Sequence, residues 1–363
     1  MNAPAITVSM LTAHLKRAAG PEHRLRVDMA GCVIEVETNS KELAETLEGY
    51  FKPFLTGGGS DPVSLVTALE MPPPTFPYEF TVKQPDPGKT KIKEEYLDLE
   101  DGRIVRKRLT GMVFVFGGGR NLAVGPCLEN PNQVVNFVNN RFIQCKLEQG
   151  CLLGHAAGVG MNGRGLGMAG FSGMGKSTLA LHLMGRGADF VSNDRIMITR
   201  EGEPPTMFGV AKHPRINPGT ALTVPGLDSI MSDEERERFS SLDADELWSL
   251  EHKYDAIIEE YYGKGRFRLQ APMHAMVLLN WKLDGGPLVI RQVSPNERKD
   301  LLPALMKETG LFYIDNGGRP EPGEDEYAEV LSRCTVIEMS GGVDFEAAAD
   351  ACRQFMNSGE FPL

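Results

Sequence analysis

The eight residues Gly-Phe-Ser-Gly-Met-Gly-Lys-Ser, Gly170 to Ser177, constrain the fold more tightly than any other part of the chain. Gly170, four intervening residues and Gly175-Lys176-Ser177 give the spacing G-x-x-x-x-G-K-[ST], in which backbone amides wrap an anion. Glycine at 170, 173 and 175 admits backbone conformations and close approaches that a Cβ would obstruct. The backbone of Gly170, Phe171, Ser172, Gly173, Met174, Gly175, Lys176, Ser177 and Thr178, with the positive end of a following helix, can then cradle a β-phosphate. Lys176 adds a mobile charge for the β- and γ-phosphates, and Ser177 a hydroxyl for Mg2+. Such a loop needs a strand before it and a helix after it. "GLGMAG" reads as a short apolar strand, and "KSTLALHLMGRG" as a helix with Leu179, Leu183 and Met184 inward and Gly187 at its end. The expectation is an α/β core whose ligands are ATP, or GTP, and Mg2+.

The 363 residues suggest two domains. The first part is strand-rich. "RLRVDMAGCVIEVET" (24–38) alternates around an Ala-Gly turn and predicts a hairpin. A helix follows, with Ser40 as N-cap and Leu43, Leu47, Tyr50 and Phe51 at helical spacing. "GGGSDP" (57–62) and "KQPDPGK" (83–89) read as loops. The stretch 94–125 reads as strands with turns at Asp101-Gly102 and Gly117–Gly119; no helix start follows "GGGR", so that segment reads as a turn rather than an anion loop. Residues 130–150 predict a helix with Val134, Phe137, Val138, Phe142 and Ile143 on one stripe. The expected boundary lies at its start, giving a β-rich α+β domain over 1–129 and a nucleotide-binding domain over 130–363. Beyond the glycine loop, 231–263 reads as an acidic helical segment capped by Ser232, 273–283 as a buried strand, and 294–310 as a helix. A strand "CTVIEMS" and a closing helix complete the alternation.

Composition excludes several classes. A net charge of −11 and a pI near 5.3 oppose general nucleic-acid binding, which needs a basic surface. The basic runs "KTKIK" (89–93) and "RIVRKR" (103–108) read as the solvated face of a hairpin. No apolar run reaches the roughly 18 residues a membrane span requires, and no membrane partner is expected. The N-terminus has neither a basic region before an apolar core nor a cleavage site, and reads as an amphipathic helix. The six cysteines (Cys32, Cys127, Cys145, Cys151, Cys334, Cys352) form no CxxC pair and no metal-ligand spacing. As scattered thiols beside a nucleotide loop, they suggest the cytoplasm.

With "GFSGMGKS", a following helix, "GRGADFVSND" and the upstream "GHAAGVG", the chain resembles the HPr kinase/phosphorylase family, and within it the divergent HPr-kinase-related proteins of the kinase B group. The likeness covers roughly 152–200 and extends more weakly over the rest of the C-terminal half. It implies a P-loop core of the HPr-kinase-like, PEP-carboxykinase-like type that phosphorylates a serine of a carrier protein, and a homo-oligomer, since HPr kinases form hexamers. Carried over by position, Gly170 to Ser177 are the nucleotide loop and His155 is the active-site histidine. Asn193 and Asp194 stand where the family has two adjacent aspartates, the first being the base for the acceptor hydroxyl. Asn193 departs from that pattern, because an amide orients a hydroxyl but takes no proton.

The residues support the same placement. "ADFVS" reads as an apolar strand whose C-terminal end lies beside the glycine loop, joined to it by a β-α-β crossover. Asp194 can hold Mg2+, with Ser177, or accept the acceptor's proton; His155 is a base or a partner of Asn193. Lys212, His213 and Arg215 in "GVAKHPRINPGT" can clamp a γ-phosphate or an anionic acceptor. At least one of Lys264, Arg266 and Arg268, near the start of the next strand, is expected to reach the triphosphate. The function expected is ATP-dependent phosphoryl transfer to a hydroxyl of a small metabolite or of a partner protein. The alternative is a module that senses ATP or ADP without turnover. Coupled ATP hydrolysis lacks an identifiable water-positioning residue.

Overall fold

A computed structural model describes residues 6–85, 90–243, 246–247, 250, 252–315 and 321–362. They form a mixed α/β structure with an eight-stranded sheet, a nine-stranded sheet and a two-stranded ribbon. By packing, the chain divides into two compact units, Met1–Cys145 with Thr309–Arg319, and Lys146–Glu308 with Pro320–Leu363.

The first unit opens with helix α1 (Val8–Ala18), capped by Thr7 and burying Val8, Leu11 and Leu15. Strands β1 (His23–Met29) and β2 (Cys32–Thr38) then form the expected hairpin. Its two-residue turn puts both Ala30 and Gly31 at positive φ, the geometry that matches strand twist. Helix α2 (Lys41–Phe51) is capped by Ser40 and buries Leu43, Leu47 and Phe51. Strands β3 (Ser64–Glu70), β4 (Thr81–Val82), β5 (Glu94–Leu99), β6 (Gly102–Lys107), β7 (Val113–Gly117) and β8 (Arg120–Gly125) complete the sheet in the order β1-β2-β3-β8-β7-β6-β5-β4. "GGGR" is the β7–β8 hairpin turn. The loop at 83–89 and the basic run at 89–93 extend partly outside the described residues.

Helix α3 (Pro131–Glu148) carries the apolar stripe read from its spacing, with Val134, Phe137, Val138, Phe142 and Ile143 all buried. The division between the units falls inside this helix rather than before it. The reason is aromatic packing: Phe137 lies 4.9 Å from Phe114 and 5.9 Å from Phe116, both in β7. The segment from Thr309 joins the same cluster, with Phe312 stacked on Phe116 and its carbonyl accepting from Arg141. The cysteines are not all free thiols: Cys32 of β2 and Cys145 of α3 form a disulfide. Cys127, Cys151, Cys334 and Cys352 remain unpaired.

The second unit builds its sheet from β9 (Leu152–Gly154), β10 (Ala156–Met161), β11 (Arg164–Gly170), β12 (Asp189–Ser192), β13 (Ile196–Ile198) and β14 (Thr206–Gly209), with helix α4 (Lys176–Gly185) between β11 and β12. A ribbon of β15 (Arg215–Ile216) and β16 (Tyr254–Asp255) brackets α5 (Pro218–Thr223) and α6 (Asp233–Ser240), and α7 (Ile258–Tyr262) follows. Long strand β17 (Gln270–Lys282), β18 (Leu288–Gln292), helix α8 (Glu324–Leu331), β19 (Thr335–Gly342) and helix α9 (Phe345–Ser358) complete it. The path runs β12-β10-β11-β17-β14-β13-β9, and β19 pairs with both β17 and β18. Both faces are covered, which explains the near-continuous apolar runs of β11 and β17. Val277, Leu279 and Trp281 face a core shared with α4 and α9, whereas Met276 and Leu278 face one shared with α8.

Two helical expectations need correction. The acidic segment 231–263 is interrupted: α6 carries the Ser232 capping box, β16 pairs with β15, and α7 follows. Part of that segment, 244–245, 248–249 and 251, lies outside the described residues. The helix expected over 294–310 is a short 3-10 turn, Lys299–Ala304, because Pro303 lacks the N–H that an α-helix would use there. No helix among the described residues is long and apolar enough to cross a membrane.

Phe137 is 1% exposed, so Phe137→Ala leaves a cavity among Phe114, Phe116 and Phe312. The expected loss of stability is about 3–5 kcal/mol, read from urea unfolding of the variant against the wild type.

Candidate functional site

Strand polarity assembles the site. β10 is antiparallel to β11, with Ala156 opposite Ala169, and antiparallel to β12, with Gly158 opposite Ser192. β11 and β12 therefore run the same way, and their C-terminal ends meet the N-terminal end of β10 at one sheet edge. His155 immediately precedes β10, the Gly170–Ser177 loop follows β11, and Asn193 and Asp194 follow β12. β17, parallel to β11 with Leu279 opposite Gly170, ends at this edge too. The β11-α4-β12 unit is thus the expected crossover, with one antiparallel strand between its two arms.

The loop is held from behind. Gly175 has φ 77°, and a Cβ there would stand 2.5 Å from the Phe345 ring. Glycine is required by both the backbone conformation and the space. Phe345 in turn packs edge-on to Trp281 at 5.2 Å and stacks on His182 of α4 at 5.7 Å. The Trp281 indole Nε1–H donates to the Met174 carbonyl at 3.0 Å. These two supporting residues were not identified from the sequence: Trp281 lies more than a hundred residues and Phe345 about 170 residues beyond the loop, and nothing in their spacing points to it.

Lys176 is 8% exposed and folds back on the loop, donating from Nζ to Gly170 O at 2.7 Å and to Phe171 O at 3.4 Å. Burial lowers its pKa, and the charge of Asp194 opposes that shift. Phe171, Ser172 and Gly173 are exposed, and Ser177 is half-buried. Thr178 is largely buried and its hydroxyl meets that of Thr220 at 3.1 Å.

His155 and Asp194 form a pair, with Nε2 3.2 Å from Oδ1. Arg195, which motif reasoning passed over, places Nε 3.5 Å from the other carboxylate oxygen. Desolvation works to raise the Asp194 pKa, but the hydrogen bond from His155 and the charges of Arg195, His155 and Lys212 outweigh it and hold it down at about 2. The Asn193 Oδ1 atom is buried and, among the described residues, has no hydrogen-bond donor. The turn carrying these residues is closed by the Ser192 hydroxyl donating to Arg195 O.

The five candidate substrate residues separate. Lys212 lies near Asp194 and is drawn to it electrostatically. His213 is 5% exposed and accepts from Ile258 N at 3.2 Å, so it belongs to the packing rather than to a clamp. Arg215 is exposed and paired with Asp255 at 3.2 Å across the ribbon. Arg266 and Arg268 sit at the other end of β12, where both approach Asp189, at 2.8 and 3.6 Å. Their placement corrects the expectation that they reach the triphosphate. Phe267 bridges Phe190 in parallel, which lays 266–268 along β12 and brings the two guanidiniums to its first residue. Lys264 is exposed.

No group of three or more acidic, His or Cys side chains able to hold a metal exists among the described residues. One carboxylate and one hydroxyl, from Asp194 and Ser177, nevertheless suit Mg2+, which retains waters and completes its shell with substrate phosphates.

No family model and no curated protein sequence matches the chain. Among solved structures, the Hpr(Ser) kinase/phosphatase from Coxiella burnetii is similar at 12% identity, over 57% of this chain and 92% of that one, with a TM-score of 0.29.

The Asp194 pair has a definite pH signature. Its carboxyl is lowered from 3.8 to about 2, so the ionised carboxylate stabilises the fold above pH 3.8 and that contribution is lost as pH falls through about 2. The melting-temperature advantage of wild type over Asp194→Asn is expected to be constant above that window and to vanish within it, as read by thermal unfolding across the acid range.

Proposed function

We propose that this protein is a Mg2+-dependent kinase that transfers the γ-phosphoryl group of ATP to a hydroxyl. In this reading the Gly170–Ser177 loop is a P-loop and the C-terminal unit an HPr-kinase-like core. What supports it is the meeting of the loop, His155 and Asp194 at one sheet edge, in hydrogen-bond contact between the last two.

The roles follow from the chemistry each group can perform. Lys176 exchanges the Gly170 carbonyl for the β- and γ-phosphates. Asp194 and Ser177 would hold Mg2+, which would supply positive charge to offset that of the phosphates. The acceptor oxygen forms its bond to phosphorus as the bond from phosphorus to the β–γ bridging oxygen breaks, and that electron pair leaves on ADP. A carboxylate held near pKa 2 is a weak proton acceptor, which gives Asp194 the charge and orienting role. The acceptor's proton passes to Nδ1 of His155, whose Nε2–H stays on Asp194. Asn193 orients the hydroxyl without taking its proton. Phosphoryl transfer through a loose transition state asks more of positioning and charge than of a base, so Asn193 is compatible with turnover.

The acceptor is a small metabolite or a serine of a partner protein. The loop 209–220 lacks the glutamate-and-arginine segments that go with protein recognition in the family the sequence resembles, which favours the metabolite. A second reading, an ATP- or ADP-sensing module without turnover, is favoured by one feature, the amide at Asn193.

Purified protein with Mg2+ and γ-labelled ATP, offered cell-extract proteins and metabolites, should move label into a discrete acceptor, and Lys176→Ala should abolish the transfer. Tight ATP binding with no label moved would support the sensor instead. Restoring the carboxylate with Asn193→Asp should raise the transfer rate by about 10- to 100-fold if proton removal limits the kinase. A sensor would remain inert in the same assay.

A further inference from the structure

Lys212 differs from the arginines that lie near Asp194, Asp255 and Asp189. Arg195, Arg215, Arg266 and Arg268 each have a carboxylate partner within 4 Å. Among the described residues the Lys212 ammonium has no ion pair within 4 Å and no side-chain hydrogen bond, although the residue is half-buried. A partly desolvated cation whose carboxylates, Asp194 and Asp255, stand beyond ion-pair distance is costly to maintain, and an anion arriving beside it recovers that cost.

Backbone packing fixes where that cation lies. Gly209, the last residue of β14, is pressed against β12 so closely that a Cβ would stand 1.8 Å from Val191 O and 3.0 Å from Ser192 Cβ. Lys212 is three residues beyond this contact, and Asp194 two residues beyond Ser192. Both chains leave the sheet at the edge that carries the glycine loop.

Charge then decides which anion fits. Four cations, Lys176, Arg195, Lys212 and Arg215, act on or beside Asp194 and Asp255, leaving a surplus of two positive charges. A nucleoside triphosphate with one bound divalent cation carries roughly two negative charges, and its terminal phosphate is the part beyond the reach of the loop amides. Nucleotide alone balances the site, and no positive charge is left over for an anionic acceptor.

We propose that Lys212 contacts the terminal phosphate of the nucleotide, so that the site binds a nucleoside triphosphate in preference to the diphosphate. This rests on the reading of the Gly170–Ser177 loop as a nucleotide site. Lys212 is then the second lysine on the transferred group, and it leaves room for an uncharged hydroxyl acceptor next to Asp194.

Calorimetric titration of the full chain with a non-hydrolysable ATP analogue and with ADP, both with Mg2+, tests this. Wild type should bind the analogue more tightly than ADP. Lys212→Met should weaken the analogue by about 10- to 100-fold, the scale of one charged hydrogen bond, and leave ADP unchanged. Lys212→Arg should recover most of the loss. Equal binding of both nucleotides by wild type, or a parallel loss of both in Lys212→Met, would overturn the proposal while leaving the loop a nucleotide site. If wild type binds neither, the nucleotide reading itself fails, and the role of Lys212 fails with it.

Discussion

The C-terminal unit turns on the antiparallel seat of β10 between two strands that run the other way. That polarity brings the start of one strand and the ends of two others to a single line of backbone. Were β11 and β12 direct neighbours, Asn193 would still follow its strand near Gly170, but no strand would begin there to carry His155. The imidazole, the carboxylate and the glycine loop thus share an edge because of hydrogen-bond direction, before any side chain is considered. Close packing makes the arrangement specific. Gly209 touching Val191 lets β14 lie against β12, and any side chain at that position would push the Lys212 chain away.

Much of this was legible in advance, for reasons that differ by element. The strand, glycine turn and helix around Gly170–Ser177 were readable because glycines followed by a short apolar helical stretch at that spacing mark a strand-to-helix turn locally. Helices α1, α2 and α3 and the β1–β2 hairpin were readable because their caps, stripes and turn residues are local. The 3-10 turn at Lys299–Ala304 was misread because the apolar spacing outweighed Pro303 in the sequence, whereas the missing N–H decides in the structure. The interruption of 231–263 depended on β16 finding β15, residues some forty apart, and no local signal reports such a partner.

Charged residues were the least legible. Lys212, Arg215, Arg266 and Arg268 look alike as basic residues in loops near a strand. What separates them is the nearest carboxylate: Asp255 takes Arg215, and Asp189 takes Arg266 and Arg268. These pairings are set by strand register, since the parallel bridge of Phe190 and Phe267 aligns two arginines with the first residue of β12. His213 was misplaced for the complementary reason. Its ring is taken by the backbone of Ile258 and the face of Phe267, so burial removes it from solvent chemistry. A residue type names what a side chain can do, and its neighbours decide whether it is free to do it.

The loop's own contacts indicate how it would accept a phosphate. Among the interactions that hold it are the Trp281 indole on the Met174 carbonyl, the Phe345 ring against Gly175, and Lys176 Nζ on the Gly170 carbonyl. The first two approach from the core and involve no group that faces a ligand, so they persist when the cradle fills. The third occupies the lysine itself. On the proposed reading, binding exchanges a hydrogen bond to a neutral carbonyl for charge-assisted ones to phosphate, which are roughly twice as strong. Because Trp281 and Phe345 keep the backbone in place, that exchange needs little beyond a change of lysine rotamer. Binding energy is then not consumed in ordering the loop and remains available for positioning the transferred group.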